Sequence, residues 1–185
     1  MSAVFESSAR EIFDPIANKH HMTCTEAAAS SVQYDNGVVG LLIVYDRGRS
    51  YELGVTLSFA PDALIGHPNY DLAEILRMKK IEGGSFSVAN AEELPSFLRR
   101  LADMLEKNAS EFLNGIPEAF VQLYRFRVSE SRRSASAENL SSARARAEAA
   151  WQDKDYGSVV QALEPIQSQL TAAEKKKLDY ARNQP

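Results

Sequence analysis

The sequence predicts an α+β fold: a three- to four-stranded antiparallel meander packed against helices, followed by an all-helical C-terminal extension. Three observations carry this. Turn signals at Asn36-Gly37 and at residues 46–50, with Gly48 inside, divide residues 31–59 into alternating apolar segments. Apolar residues over 94–113 recur at helical spacing, and beyond residue 138 the chain turns Ala-rich and Gly-poor.

Asn-Gly is the strongest short-range hairpin signal, because both central residues of a type I′ turn need φ > 0. A two-residue loop at Asn36-Gly37 sets Asp35 opposite Val38, Tyr34 opposite Val39 and Val32 opposite Leu41. The second turn is expected to pair Tyr45 with Tyr51, Ile43 with Leu53, Leu41 with Val55 and Val39 with Leu57. Both ladders gather Val32, Tyr34, Val39, Leu41, Ile43, Tyr45, Tyr51, Leu53, Val55, Leu57 and Phe59 on one face. A one-residue slip would scatter that set, so this face is the predicted core. The reverse face has an apolar middle of Val38, Leu42 and Val44 with small or polar margins. A helix of the same chain is expected to lie there; the alternative is a partner platform centred on Gln33, Leu42 and Thr56.

Around the sheet, residues 3–18 carry Val4, Phe5, Ile12, Phe13 and Ile16 at three- and four-residue spacings, an amphipathic helix with Pro15 near its end. An extended piece around 20–25 supplies an edge strand. Asn69 or Asp71 caps a short helix bearing Leu72, Ile75 and Leu76. Residues 81–87 read as loop. Asn90 with Glu93 resembles a capping box opening the helix through Leu94, Leu98, Leu101 and Leu105. Pro95 is tolerated in its first turn, and Gly115 is placed to end it. Another helix is expected over 117–128. The organisation is therefore an α+β domain over 1–128, a Ser/Arg-rich connection over 129–137, and a helical extension over 138–185.

That extension reads as helices over 143–151 and 158–170 and a third opened by a capping box at Thr171 and Glu174. The run through Ala147, Ala150, Trp151, Tyr156, Val159 and Leu163 resembles a tetratricopeptide helical hairpin, over roughly 35 residues. One such hairpin cannot bury both faces alone, so its Ala/Leu face is expected to dock on the sheet's second face, the 117–128 helix or a partner chain.

Charge narrows the function. The chain carries a net −4. Residues 1–118 hold 10 basic and 17 acidic groups, residues 119–150 hold 6 against 3, and residues 151–185 balance at 5 and 5. An acidic body lacks the dense basic face of a nucleic-acid binder. No run approaches the roughly 18 apolar residues of a membrane span. The N-terminus has no basic-then-apolar leader pattern, and the single cysteine, Cys24, fits a reducing compartment, so a cytoplasmic location is expected.

Candidate chemistry is sparse. His20, His21 and Cys24 are metal-ligating types, but with only His67 elsewhere the set falls short of a zinc site, and no metal or cofactor is expected. No Gly-x-Ser-x-Gly, His-Glu-x-x-His or Cys-x-x-Cys occurs, and Gly83-Gly84-Ser85 lacks the lysine of a phosphate loop. No catalytic residue is assigned. The best local set for contact is the rim of one hairpin, Arg47, Arg49, Tyr51 and Glu52, a polar recognition tip on a rigid scaffold.

The order of a short N-terminal helix, then Val32, Tyr34 and Asn36, then the run from Tyr45 through Arg47, Arg49 and Glu52 to Val55, then two helices, resembles a widespread type of small bacterial α+β protein of unknown function. The resemblance covers roughly residues 1–115. It implies an immunity-like or accessory protein rather than an enzyme. The function expected is thus a cytosolic protein-interaction module, toxin-neutralising or accessory, whose partner is another protein; self-association stays open. The alternative is a regulator binding a small effector between sheet and helices, and third comes an enzyme with an unrecognised site.

Overall fold

The computed structural model describes residues 2–60, 69–90 and 92–184. The chain divides into two compact units, Met1–Phe126 and Arg127–Pro185.

In the first unit, helix α1 (Ser2–Lys19) buries Phe5, Ala9, Phe13, Ile16 and Ala17 along one stripe. Strands β1 (Thr23–Ala27), β2 (Ser31–Asp35), β3 (Val39–Asp46), β4 (Glu52–Phe59) and β5 (Asn69–Asp71) follow in meander order, all antiparallel. Helix α2 (Leu72–Met78) precedes β6 (Ser85–Ser87), which also pairs with β4. Two three-residue strands thus share the outer edge of β4: β6 takes residues 52–54 and β5 takes 56–58. The sheet therefore has six strands, not three or four, and residues 81–87, expected as loop, contain one of them.

The core face is the predicted one, but both ladders lie two residues from the expected register. Tyr34 faces Leu41 and Val32 faces Ile43. Tyr45 faces Leu53, Ile43 faces Val55, and Leu41 faces Leu57. The turns explain the slip. Asn36 Oδ1 accepts from the amides of Val38 (3.0 Å) and Val39 (2.8 Å), which closes a four-residue loop in place of a two-residue one. At the other end Tyr51 adopts φ 55° and its amide donates to the Asp46 carbonyl (2.7 Å), so residues 47–51 form the loop. A slip of two keeps every side chain on its own face, because the pleat repeats every two residues. Tyr51 is the exception: it leaves the strand and is 42% exposed.

Helix α3 (Leu94–Asn108) turns Leu94, Leu98, Leu101 and Leu105 inward. The capping box expected at Asn90 does not form. Asn90 Oδ1 accepts from the Glu92 amide (3.1 Å), which makes a turn, and the helix begins four residues later with Pro95 in its first turn. The chain breaks at Ala109 (φ −127°, ψ 21°) before the short α4 (Ser110–Leu113). At that break the Lys79 ammonium donates to the Asn108 carbonyl and pairs with Glu111, which answers the free helix end. Gly115 (φ 65°) then closes α4, with the amide of Ile116 donating to the Glu111 carbonyl (3.0 Å). One end of the core is aromatic: Phe120 stacks on Phe59 (4.3 Å) and meets Phe112 edge-on (5.1 Å). Two hydroxyls drawn into this core are satisfied: Tyr34 Oη donates to Asp14 Oδ1 (2.7 Å) and Tyr45 Oη to the Val88 carbonyl (2.7 Å). Burial, with the Asp14 carboxylate beside it, pushes the Tyr34 hydroxyl well above its usual pKa.

Helix α5 (Pro117–Gln152) belongs to both units. The expected connection over 129–137 is itself helical. No Gly or Pro interrupts residues 118–152, and the Ser/Ala/Arg/Glu composition tolerates helix although residues 131–139 are exposed on every side. In the second unit, α5 is followed by α6 (Tyr156–Leu163), a 3-10 turn (Glu164–Gln169) and α7 (Ala172–Arg182). A single helix was expected over 158–170; it stops because Pro165 offers no amide and Ile166 leaves helical angles (φ −111°, ψ 18°). The capping box at Thr171 and Glu174 is complete. Ala143, Ala147 and Ala150 of α5 pack with Val159, Leu163, Ile166, Leu170, Leu178 and Ala181, so α7 covers the hairpin's Ala/Leu face within the unit itself. No helix among the described residues is long and apolar enough to cross a membrane.

The core face has an energetic signature. Leu41 is fully buried and Val38 is 44% exposed. Leu41→Ala is expected to cost about 2–5 kcal/mol in urea unfolding, and Val38→Ala to stay within about 0.5 kcal/mol.

Candidate functional site

In the second unit, three capping devices bring six side chains to one bowl. Helix α5 ends in a Schellman motif: the Asp155 amide reaches the Ala150 carbonyl (2.9 Å), the Lys154 amide reaches that of Trp151 (3.2 Å), and Lys154 sits left-handed at φ 58°. The same motif closes α1 at His21 (φ 57°) and α2 at Lys80 (φ 61°). The reversal leaves Trp151 near the end of one helix and Tyr156 at the start of the next. Asp155 Oδ1 accepts the Ser158 amide (3.1 Å) and so caps α6, and the Ser158 hydroxyl first and its amide second hold the Asp155 carboxylate below the usual range. The Thr171 cap starts α7 so that Ala173, Lys176, Lys177 and Tyr180, at i, i+3, i+4 and i+7, form one stripe facing the same place.

Trp151, Tyr156 and Tyr180 meet edge to face, with ring centroids 5.8, 5.5 and 5.6 Å apart. Contacts of this geometry contribute about 0.5–1.5 kcal/mol each beyond area burial. Partial burial and the neighbouring Tyr180 push the Tyr156 hydroxyl up. The Lys177 ammonium lies 5.1 Å from the Trp151 ring and 2.6 Å from Glu148 Oε2, which steadies the indole. Around this cluster opens a cavity of about 470 Å3, whose rim adds Gln152, Lys154 and Lys176. That volume falls in the range of ligand sites. Tyr180 remains 49% exposed.

The scaffold beneath is held by ion pairs from α7 to α5 and to the 3-10 turn. Arg144 Nε bonds Glu174 Oε1 (2.6 Å) while its Nη2 reaches the Gln169 carbonyl (3.2 Å), and Arg182 pairs with Glu164 (2.6 Å). Glu174 also accepts from its cap partner's amide, Thr171 N, at 2.7 Å. That backbone bond first, and Arg144 second, hold its carboxyl down at about 2.

The sequence-predicted residues lie in the first unit. Arg47, Arg49 and Tyr51 share one hairpin loop and Glu52 opens β4 beside it, all of them exposed. Ser50 Oγ binds Asp46 (3.2 Å) and Glu52 (3.4 Å), which orders the tip. Tyr45 is no part of it, being buried with its hydroxyl on Val88. Gln33, Leu42 and Thr56 stand in one row across β2, β3 and β4, each half-buried, with Thr56 Oγ1 donating to Asp71 (3.0 Å). A cavity of about 240 Å3 opens beside the edge of β4, with Glu52, Gly54, Asp71 and Gly84 among its walls. It is smaller than usual ligand sites.

His20 Nδ1 bonds Asn114 Oδ1 (2.9 Å), His21 ends α1, and Cys24 is exposed with its thiol toward the Glu26 carbonyl (3.6 Å). Among the described residues no group of three or more His, Cys, Asp or Glu gathers as metal ligands. His67 lies outside the described residues. The aromatic bowl was not foreseen as a site. Its one sequence signal was the Ala173, Lys176, Lys177, Tyr180 stripe, which mixes lysines and an aromatic where a solvated face would be purely polar. Comparison with protein-family models, curated proteins and solved structures finds no match.

Two measurements bear on this geometry. Lys154→Gly is expected to stabilise the protein by about 1 kcal/mol, since glycine adopts the left-handed conformation without a Cβ penalty; urea unfolding followed by the single tryptophan reads it. Glu174 has a folded pKa below its unfolded value near 4.3. Its contribution is therefore complete above that value and lost as pH falls toward about 2. The stability deficit of Glu174→Gln should be evident at pH 6 and shrink steadily between pH 4.5 and 2.

Proposed function

We propose that the protein is a protein-interaction module of the accessory kind, and that the aromatic bowl of its second unit is the contact site. The observation that supports this reading is the cluster of half-buried Trp151 and Tyr156 with exposed Tyr180 on a pre-organised, ion-paired scaffold. Tryptophan and tyrosine dominate interface energetics because they bury large area at little conformational cost. A surface cluster left partly wet by its own fold is an interface anchor by that logic. The hairpin tip at Arg47, Arg49, Tyr51 and Glu52 offers charge but little apolar area, so it is the weaker surface.

The full chain, immobilised, should capture one protein stoichiometrically from a lysate of the cells that make it. Arg49→Ala should keep that partner, and Tyr180→Ala should lose it; Tyr180 is exposed enough for truncation to spare the fold. Loss with Arg49→Ala alone would move the site to the hairpin. A lysate that yields no stoichiometric protein would overturn the interaction reading itself.

A further inference from the structure

We propose that the bowl receives an acidic, extended segment of the partner, with one large apolar side chain seated on Trp151, Tyr156 and Tyr180 and flanking carboxylates answered by Lys154 and Lys176. This rests on the reading of the bowl as the contact site and adds the chemistry of what fills it.

The argument is one of arrangement. Residues 151–185 hold as many acids as bases, 5 of each, so composition alone gives no positive surface. Yet among the described residues the bowl is lined by three lysines and no carboxylate. Four acids of this unit are engaged, Glu174 with Arg144, Glu164 with Arg182, Glu148 with Lys177, and Asp155 on the Ser158 amide, while the exposed Asp153 lies outside the lining. Lys177 is thereby occupied in holding the indole. Lys154 and Lys176 are exposed and form no ion pair among the described residues. An unanswered positive pair beside an apolar seat is complementary to a carboxylate-bearing chain with an apolar side chain between its acids.

The two free ammonium groups also sit on different elements, one just past α5 and one within α7. Placed on two elements, each can answer its own carboxylate along a chain. Left-handed lysine is no argument by itself, since Lys80 does the same at the end of α2. It matters as a tool: glycine at 154 suits the backbone and deletes only the amine.

The contributions divide by physical type. The apolar seat should supply most of the affinity, and each exposed ion pair about fivefold or less, weakened further by salt. A probe can be built accordingly: a synthetic dodecapeptide with one central phenylalanine flanked by glutamates, and a twin with every glutamate replaced by glutamine. The chain has a single tryptophan, Trp151, so its fluorescence reports occupancy of the bowl directly.

At low salt the glutamate peptide should shift Trp151 emission saturably, and the glutamine peptide should bind at least about tenfold more weakly. Lys154→Gly and Lys176→Gln should each weaken the glutamate peptide up to about fivefold, with Lys154→Gly at undiminished stability. Equal binding of both peptides, or no saturable shift, would overturn the proposal. A concentration-dependent Trp151 change in the protein alone would overturn it too, by showing a second copy in the seat. If the peptide fails while Tyr180→Ala still abolishes capture of a lysate partner, the acidic chemistry is wrong and the contact site stands. If both fail, the contact site falls with it.

Discussion

The first unit depends on one constraint: β2, β3 and β4 carry apolar side chains on a single face. Leu41, Ile43, Leu53 and Leu57 reach zero exposure there, and each such side chain is worth about 1.5–3 kcal/mol when withdrawn from water. A one-sided sheet must be covered, and that requirement sets the rest. α1 needs a stripe of Phe5, Ala9, Phe13 and Ile16; α3 needs Leu94, Leu98, Leu101 and Leu105 at matching spacing. Polar atoms carried inward must find partners, which is why Tyr34 reaches Asp14 and Tyr45 reaches the Val88 carbonyl. The Phe59, Phe112 and Phe120 contacts close one end of the same core.

The second unit is built on another principle. Its core is small, with Ala143, Ala147 and Ala150 giving close approach rather than bulk. What it lacks in buried area it makes up at its rim, where Arg144 with Glu174, Lys177 with Glu148 and Arg182 with Glu164 bridge its elements. Exposed pairs contribute little singly, and their greater effect here is on placement. They engage Glu174, Glu148 and Glu164 and leave Lys154 and Lys176 beside an aromatic cluster with no ion pair among the described residues. The functional reading therefore follows from how this unit solves its stability problem.

Legibility divided along physical lines. The core face could be read because alternation repeats every two residues and is insensitive to a slip of two. The register could not, because it hangs on turn details: Asn36 bonding two amides with its side chain, and Tyr51 going left-handed. Strands of three residues such as β5 and β6 show no period at all, and they exist only because β4 offers an unpaired edge. Residues 129–137 read as a connection because Ser and Arg clusters suggest loop, yet without Gly or Pro the helix simply continues. The Thr171 box was legible because it is local; the one expected at Asn90 was matched in pattern but yields a turn. The bowl joins residues 151, 156 and 180, and nothing in the sequence says that α7 returns to the end of α5.

The most direct test of how that one-sided sheet is assembled is cross-strand disulfide formation on its half-exposed face, in a Cys24→Ser background. Leu42 and Thr56 are direct partners across β3 and β4, whereas Leu42 and Gly54 would be partners in the register that the turns suggest by themselves. Direct partners lie about 4.5–5.5 Å apart at Cα and diagonal ones about 7–8 Å, and a disulfide needs less than about 6.8 Å. Leu42→Cys with Thr56→Cys should oxidise readily to a single cross-linked species, and Leu42→Cys with Gly54→Cys should remain reduced under the same conditions. Rapid cross-linking of the second pair but not the first would contradict the register on which the first unit is built.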